Sequence, residues 1–191
     1  MILLQVLPVI NDPVFRAVGA IASSLLNTMM GYWAESFLVV LPLIGIYLFF
    51  KKDRDVFSYA FAVVALLVIA EILKDIFMEP RPCTVSSLSW INHVGCESGF
   101  SFPSNHATVL TGLFVFMKQY RRLQALYVIW MLVTLFGRVY LGQHYFTDVV
   151  AGAVLSIVIG AIIYMKRQSI NKTLGGIFFS VVKPLPFIKD F

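Results

Sequence analysis

Long apolar runs constrain this chain more than any other feature. Residues 33–50, 56–73, 123–141 and 146–165 each contain a single Asp, Glu, Lys or Arg, and a fifth run, 107–117, contains none and extends back toward Pro103. A helix crossing the hydrocarbon core needs about 20 such residues. Backbone groups in lipid must be bonded within their own segment, and runs of this length without period-two alternation are helices rather than barrel strands. With a hydrophobic fraction of 59%, 13% charged residues and a mean hydropathy of +0.85, the soluble classes are excluded. The predicted fold class is all-α, a polytopic transmembrane helical bundle forming a single integral-membrane domain over residues 1–191. Within it, residues 1–32 form an N-terminal region, 33–166 the bundle and 167–191 a C-terminal tail.

The two ends are less regular. In residues 13–30 and just beyond, Arg16, Ser23, Asn27 and Gly31 make one stripe and Phe15, Val18, Ala22, Leu25 and Met29 another. Both an interfacial amphipathic helix and a further span with its polar side toward its neighbours fit that pattern. Residues 1–10 are apolar with no basic leader and no small-residue cleavage site, which argues against a removable signal peptide. Residues 173–182 are too short to span, and Pro184 and Pro186 interrupt the remainder of the tail, so this segment is predicted to lie on the surface or dock against the bundle.

Charge supplies direction. Lys51, Lys52 and Arg54 share one short loop, Lys118, Arg121 and Arg122 another, and Lys166, Arg167 and Lys172 come after the last span. Alternating spans place all three groups on one face, which the positive-inside rule makes cytoplasmic. The net charge of +5 is then mainly topological, with some attraction to anionic head groups, and no nucleic-acid partner is expected. The opposite face carries the long connection 79–102, and its cations after the first span are Lys74, Arg81 and Arg138. Cys83 and Cys96 also fall there. In an oxidising compartment a disulfide between them would close a short loop, and two free thiols in a partly buried loop are the alternative.

Three short polar motifs sit at the ends of the apolar runs on this face. Lys74 closes one run, and Arg81 comes seven positions later between Pro80 and Pro82, which force an extended path back over the mouth of the bundle. Ser104 precedes an apolar helix as an N-cap residue, so the next N–H groups and the helix dipole favour an anion, with His106 placed for proton transfer. Arg138 and His144 bracket the last connection, and Asp148 lies four residues on, where it can hold Nδ1–H of the imidazole and leave Nε2 as a nucleophile. Each motif alone has a bland reading as well: a snorkelling lysine, an ordinary cap, or a His–Asp pair that fixes a turn. Glu71 and Glu79 can tune the cations. His93 reads as a surface residue, and Gly152, Ser156 and Gly160 as a small-residue packing seam.

Taken together, Lys-x6-Arg-Pro, Pro-Ser-x-His and Arg-x5-His-x3-Asp, in this order and on one side of the membrane, resemble the three-part signature of the type 2 phosphatidic acid phosphatase family. The resemblance covers roughly residues 74–152. It implies a lipid phosphatase in which His144 attacks phosphorus to give a phosphohistidine and Asp148 raises its nucleophilicity. His106 would protonate the leaving oxygen and then activate water. Lys74, Arg81, Ser104, Arg138 and the backbone N–H of Asn105 would bind the phosphoryl oxygens. Three cations suffice to neutralise those oxygens, so neither a metal nor another cofactor is expected. The implied partner is a membrane lipid phosphate: a polyprenyl diphosphate of the undecaprenyl type, or alternatively phosphatidate, phosphatidylglycerophosphate or lipid A. From a different class, a non-catalytic anion-binding or lipid-transporting protein would need the cations but not both histidines. The chain departs from the family pattern at Asn105, where Gly is common, and at Gly137, where Ser is common. Both changes bear on pocket shape.

Overall fold

The computed structural model of this chain describes residues 2–85 and 95–182, and the described residues form helices and connecting segments without strands. His93 lies outside them. In order, the helices are α1 (Ile2–Gly19), α2 (Ser24–Glu35), α3 (Phe37–Phe50), α4 (Asp55–Phe77) and the short α5 (Pro82–Val85). They continue with α6 (Asn105–Leu113), which runs into a 3-10 turn (Phe114–Met117), then α7 (Arg121–Tyr140), α8 (Phe146–Met165) and α9 (Arg167–Val182). Among the described residues four stretches are long and apolar enough to cross a membrane: Ser24–Phe50, Asp55–Thr84, Arg121–Tyr140 and Phe146–Met165. Large apolar side chains, among them Leu38, Val64, Val68, Leu126, Ile129 and Val154, cover the outward faces, as a bundle solvated by acyl chains requires.

The fifth apolar run is shorter. Asn105–Met117 rises only roughly 20 Å against a hydrocarbon core of about 30 Å, so by length alone it falls short of crossing it. The segment 13–30 differs from both single-helix readings. Helix α1 stops at Gly19, and Ser23 caps α2 by accepting the Leu26 N–H at 3.2 Å, so a glycine stop and a serine start divide the stretch. Helix α1 then lies against the start of α8, with Asn11 exchanging hydrogen bonds with the Thr147 side chain (3.2 Å) and N–H (3.3 Å). The polar stripe of α2 does face a neighbour, because Tyr140 donates its hydroxyl to Asn27 Oδ1 at 2.5 Å.

Helical periodicity aims the motif residues inward. The buried stripe of α4 runs Ser58, Ala62, Leu66, Ala70, Lys74, that of α7 Tyr127, Met131, Thr134, Arg138, and that of α8 Asp148, Gly152, Ser156, Gly160. Each ends, at the same end of the bundle, on a charged motif residue. The small-residue seam of α8 packs directly on α6. A Cβ at Gly160 would lie 2.3 Å from the Gly112 carbonyl oxygen, and one at Gly152 would lie 3.1 Å from that of Ser104. At the other end the three basic groups converge. Tyr120 donates to Asp53 Oδ2 at 2.8 Å with Gln119 beside it, and Asp55 faces Arg167 at 3.5 Å and accepts from Asn171 at 2.9 Å. Helix α9 is thereby docked on the start of α4.

Candidate active site

The site is assembled where α4 and α7 end and α6 and α8 begin. Helix α4 closes on Met78 in the left-handed region (φ 48°), which breaks the helix and releases the chain toward Arg81. Helix α7 ends in a turn in which Gln143 N–H and His144 N–H both donate to the Arg138 carbonyl, at 3.1 and 3.2 Å, with Gly142 at φ 65°. That turn folds His144 back into the cavity that Arg138 also lines. Helix α8 starts with a capping box in which Asp148 Oδ2 accepts the Tyr145 N–H at 2.9 Å. Asp148 is therefore fixed by the helix start itself.

These ends enclose a cavity of about 480 Å³ whose lining includes Lys74, Arg81, Asn105, His106, Arg138 and His144. Its three cations are buried, with 5%, 3% and 1% of their surface exposed for Lys74, Arg81 and Arg138. Buried cations need counter-charge, and carboxylates supply it. Glu71 lies 3.5 Å from Lys74 Nζ, and Glu97 lies 3.3 Å from Arg81 and 2.5 Å from Arg138. Arg81 is held further by the carbonyls of Gly99 (3.3 Å), Ser98 (3.2 Å) and Gln143 (3.0 Å). Arg138 Nε and His106 Nδ1 are buried donors or acceptors without a hydrogen-bond partner among the described residues.

The His144 ring is oriented through a hydroxyl. Ser101 donates to Asp148 Oδ2 at 2.5 Å, which leaves its lone pair facing His144 Nδ1 at 3.4 Å. The direct Nδ1 to Oδ2 separation is 3.6 Å, so the carboxylate acts on the imidazole mainly through Ser101. Nδ1 then carries the proton. Nε2 presents its lone pair to the cavity, 3.4 Å from the donor Arg81 NH1. Burial, followed by the charges of Arg138, Arg81 and Lys74, drives the His144 pKa well below its usual value. The imidazole is accordingly neutral and nucleophilic at ordinary pH. Replacing Ser101 by Ala should lower kcat by up to about a hundredfold while leaving KM unchanged, because the ring loses its orientation but the cations remain. Equal losses in kcat and phosphate binding would point instead to collapse of the loop.

His106, the second residue of α6, packs its ring against Phe37 at a centroid distance of 4.6 Å, across the cavity lining from His144. Asn105 lines the same space, and its amide donates to Glu71 Oε1 at 2.5 Å. Ser104, like Asp148, is a motif residue outside the cavity lining. It is fully buried, and its Oγ accepts the Ala107 N–H at 3.5 Å. Gly137 lies beside Met30, with room for a Cβ at ordinary contact distance, 3.6 Å from Sδ. Cys83 and Cys96 form a disulfide with Cα atoms 5.8 Å apart. Sequence reasoning missed Ser101, Glu97 and Gln143, which come from the connecting segments. Only the cysteine preceding Glu97 hinted that this loop returns to the site.

Comparison with known proteins finds a family, relatives and structural neighbours. Residues 55–172 match the PAP2 superfamily. The chain is 28% identical over 161 residues to undecaprenyl-diphosphatase BcrC of Bacillus subtilis, a match covering 81% of this chain and 82% of that protein. It is 30% identical over 128 residues to the lipid A 4′-phosphatase of Bacteroides thetaiotaomicron, covering 61% of this chain and 57% of that protein. Among solved structures, Aquifex aeolicus LpxE superposes with a TM-score of 0.64 at 23% identity, over 81% of this chain and 94% of that one. The PAP2-type phosphatidylglycerolphosphate phosphatase of Bacillus subtilis gives 0.65 at 22% identity, over 83% of this chain and 85% of that one. These two structures share the fold.

Proposed function

The chain belongs to the PAP2 superfamily of membrane lipid phosphatases, and from that premise we propose that it removes the terminal phosphate of a polyprenyl diphosphate, at a site facing the extracytoplasmic side. One observation carries this reading: three buried cations and two histidines on four different helix ends or turns line one cavity. An incidental set of border residues would have no reason to converge there. The choice of a diphosphate is supported by the undecaprenyl-diphosphatase relative, whose match spans more than four-fifths of both chains. The outward site is supported by the convergence of the basic loops at the opposite end.

In this mechanism Arg81, Arg138 and Lys74 bind the terminal phosphoryl oxygens and the N-terminus of α6 adds the Asn105 N–H. Ser104 would serve by capping that helix. His144 Nε2 forms a bond to phosphorus as the bond to the bridging oxygen breaks. His106, protonated once the bound phosphate dianion offsets the charges of Lys74, Arg81 and Arg138, gives its proton to the departing lipid monophosphate. The same residue, now a base, takes a proton from water, whose oxygen attacks the phosphohistidine, releases inorganic phosphate and restores His144. Phosphoryl transfer asks mainly for positioning and neutralised equatorial charge, which three cations provide without a metal.

Purified protein in detergent, given polyprenyl diphosphate, phosphatidate, phosphatidylglycerophosphate and lipid A in the presence of a chelator, should release phosphate fastest from the polyprenyl diphosphate. Preference for another lipid would reassign the substrate. Release from none would favour a non-catalytic anion binder, and strict need for a divalent ion would remove the metal-free mechanism. The same assay gives the pH profile. Because the His144 pKa is depressed, its neutral form persists as pH falls, so the acidic limb of kcat/KM should lie well below the usual histidine value of about 6.5.

A further inference from the structure

Glu97 occupies an unusual place for a carboxylate. Its two oxygens face Arg81 NH2 at 3.3 Å and Arg138 NH2 at 2.5 Å, the same two guanidiniums that the phosphatase reading assigns to the phosphoryl group. Two features separate it from a structural ion pair. Its side chain is 39% exposed while its partners are 3% and 2% exposed, so it reaches the arginines from the cavity mouth and can leave toward water. The backbone on either side, by contrast, is fastened. Cys96 is joined to Cys83 at the start of α5, Glu97 N–H donates to Gln143 Oε1 at 3.0 Å, and Gln143 Nε2 donates to the Gly95 carbonyl at 2.7 Å. Gln143 adjoins His144, so the loop bearing Glu97 is tied to the turn that holds the nucleophile.

We infer that Glu97 is a carboxylate gate of the phosphoryl pocket, an internal competitor that pairs with Arg81 and Arg138 and yields them to phosphate. The inference rests on the assignment of those arginines to phosphate. A phosphoryl group and this carboxylate cannot both take the same donors, since two anions at that separation repel while each needs the same cations. The gate weakens the binding of every phosphate by the cost of displacing Glu97. That cost falls on inorganic phosphate and lipid substrate alike, and it favours release of the product. The disulfide keeps the carboxylate near the arginines between turnovers.

The test uses the full-length protein in detergent, with inorganic phosphate as probe in calorimetric titration and as inhibitor of lipid hydrolysis. Glu97→Gln should tighten phosphate binding about tenfold and lower KM in the same direction, while kcat does not rise. Unchanged or weakened phosphate binding in a variant that keeps the wild-type helical circular dichroism would overturn the gate. The double variant Cys83→Ser/Cys96→Ser retains the carboxylate but frees the loop, and it should shift phosphate affinity in the same direction as Glu97→Gln. No shift would remove the tethering role. Calorimetry separates this inference from its premise. If the wild-type protein hydrolyses no lipid yet Glu97→Gln still binds phosphate more tightly, the phosphatase reading fails and the gate stands.

Discussion

Replacing His144 by Ala should reduce turnover by a factor on the order of 10⁴ or more while leaving phosphate affinity nearly intact. The asymmetry arises from the division of labour in the cavity. Arg81, Arg138 and Lys74 supply the attraction, and their counter-charge comes from Glu71 and Glu97 rather than from the imidazole. His144 alone combines a cavity-facing Nε2, a proton parked on Nδ1 by Ser101, and a pKa held low by burial and the surrounding cations. Removing it leaves a phosphate binder without a nucleophile. Steady-state hydrolysis together with phosphate titration checks the point, and a variant that kept full activity would exclude the assigned role.

The second large effect concerns the scaffold. Gly160→Leu should destabilise the bundle by roughly 3 kcal/mol or more, since even the first added carbon would fall 2.3 Å from the Gly112 carbonyl oxygen, a backbone atom that cannot rotate away. The strain would separate α6 from α8 and with them His106 from Asp148. Gly176→Ala is the matched control, because a Cβ there meets nothing within 4 Å, and its effect should stay within about 0.5 kcal/mol. Apparent melting temperature in detergent compares the two. Equal melting temperatures would show that the seam tolerates separation and that close approach is not what holds the site together.

Much of this architecture was legible in the sequence because helical periodicity carries it. The stripes ending on Lys74, Arg138 and Asp148 are spaced at three and four residues, so the inward direction of each side chain can be inferred from the spacing once the run is known to be a helix. The seam of Gly152, Ser156 and Gly160 is visible for the same reason. Side chains delivered by connecting segments were not visible. Ser101 reaches Asp148 through a path set by loop contacts such as its N–H to the Glu79 carbonyl at 2.7 Å, and no periodicity encodes that path. Glu97 is placed by a covalent closure and by Gln143, itself in a turn wound on the Arg138 carbonyl. Ser104 was legible at its helix start, which directs its oxygen to a backbone N–H as a cap. The N-terminal stripes misled, since amphipathic spacing continued across the break between Gly19 and Ser24.

The central claim is that the three helix-end motifs form one phosphoryl-transfer site with His144 as its nucleophile. It is tested most directly by acid-free quenching of the enzyme during turnover of polyprenyl diphosphate labelled in its terminal phosphate, followed by locating the protein-bound label. The expected result is a base-stable, acid-labile phosphohistidine at residue 144 that is lost in His144→Ala. Label on a different residue, or steady hydrolysis with no protein-bound phosphate at any quench time, would contradict it.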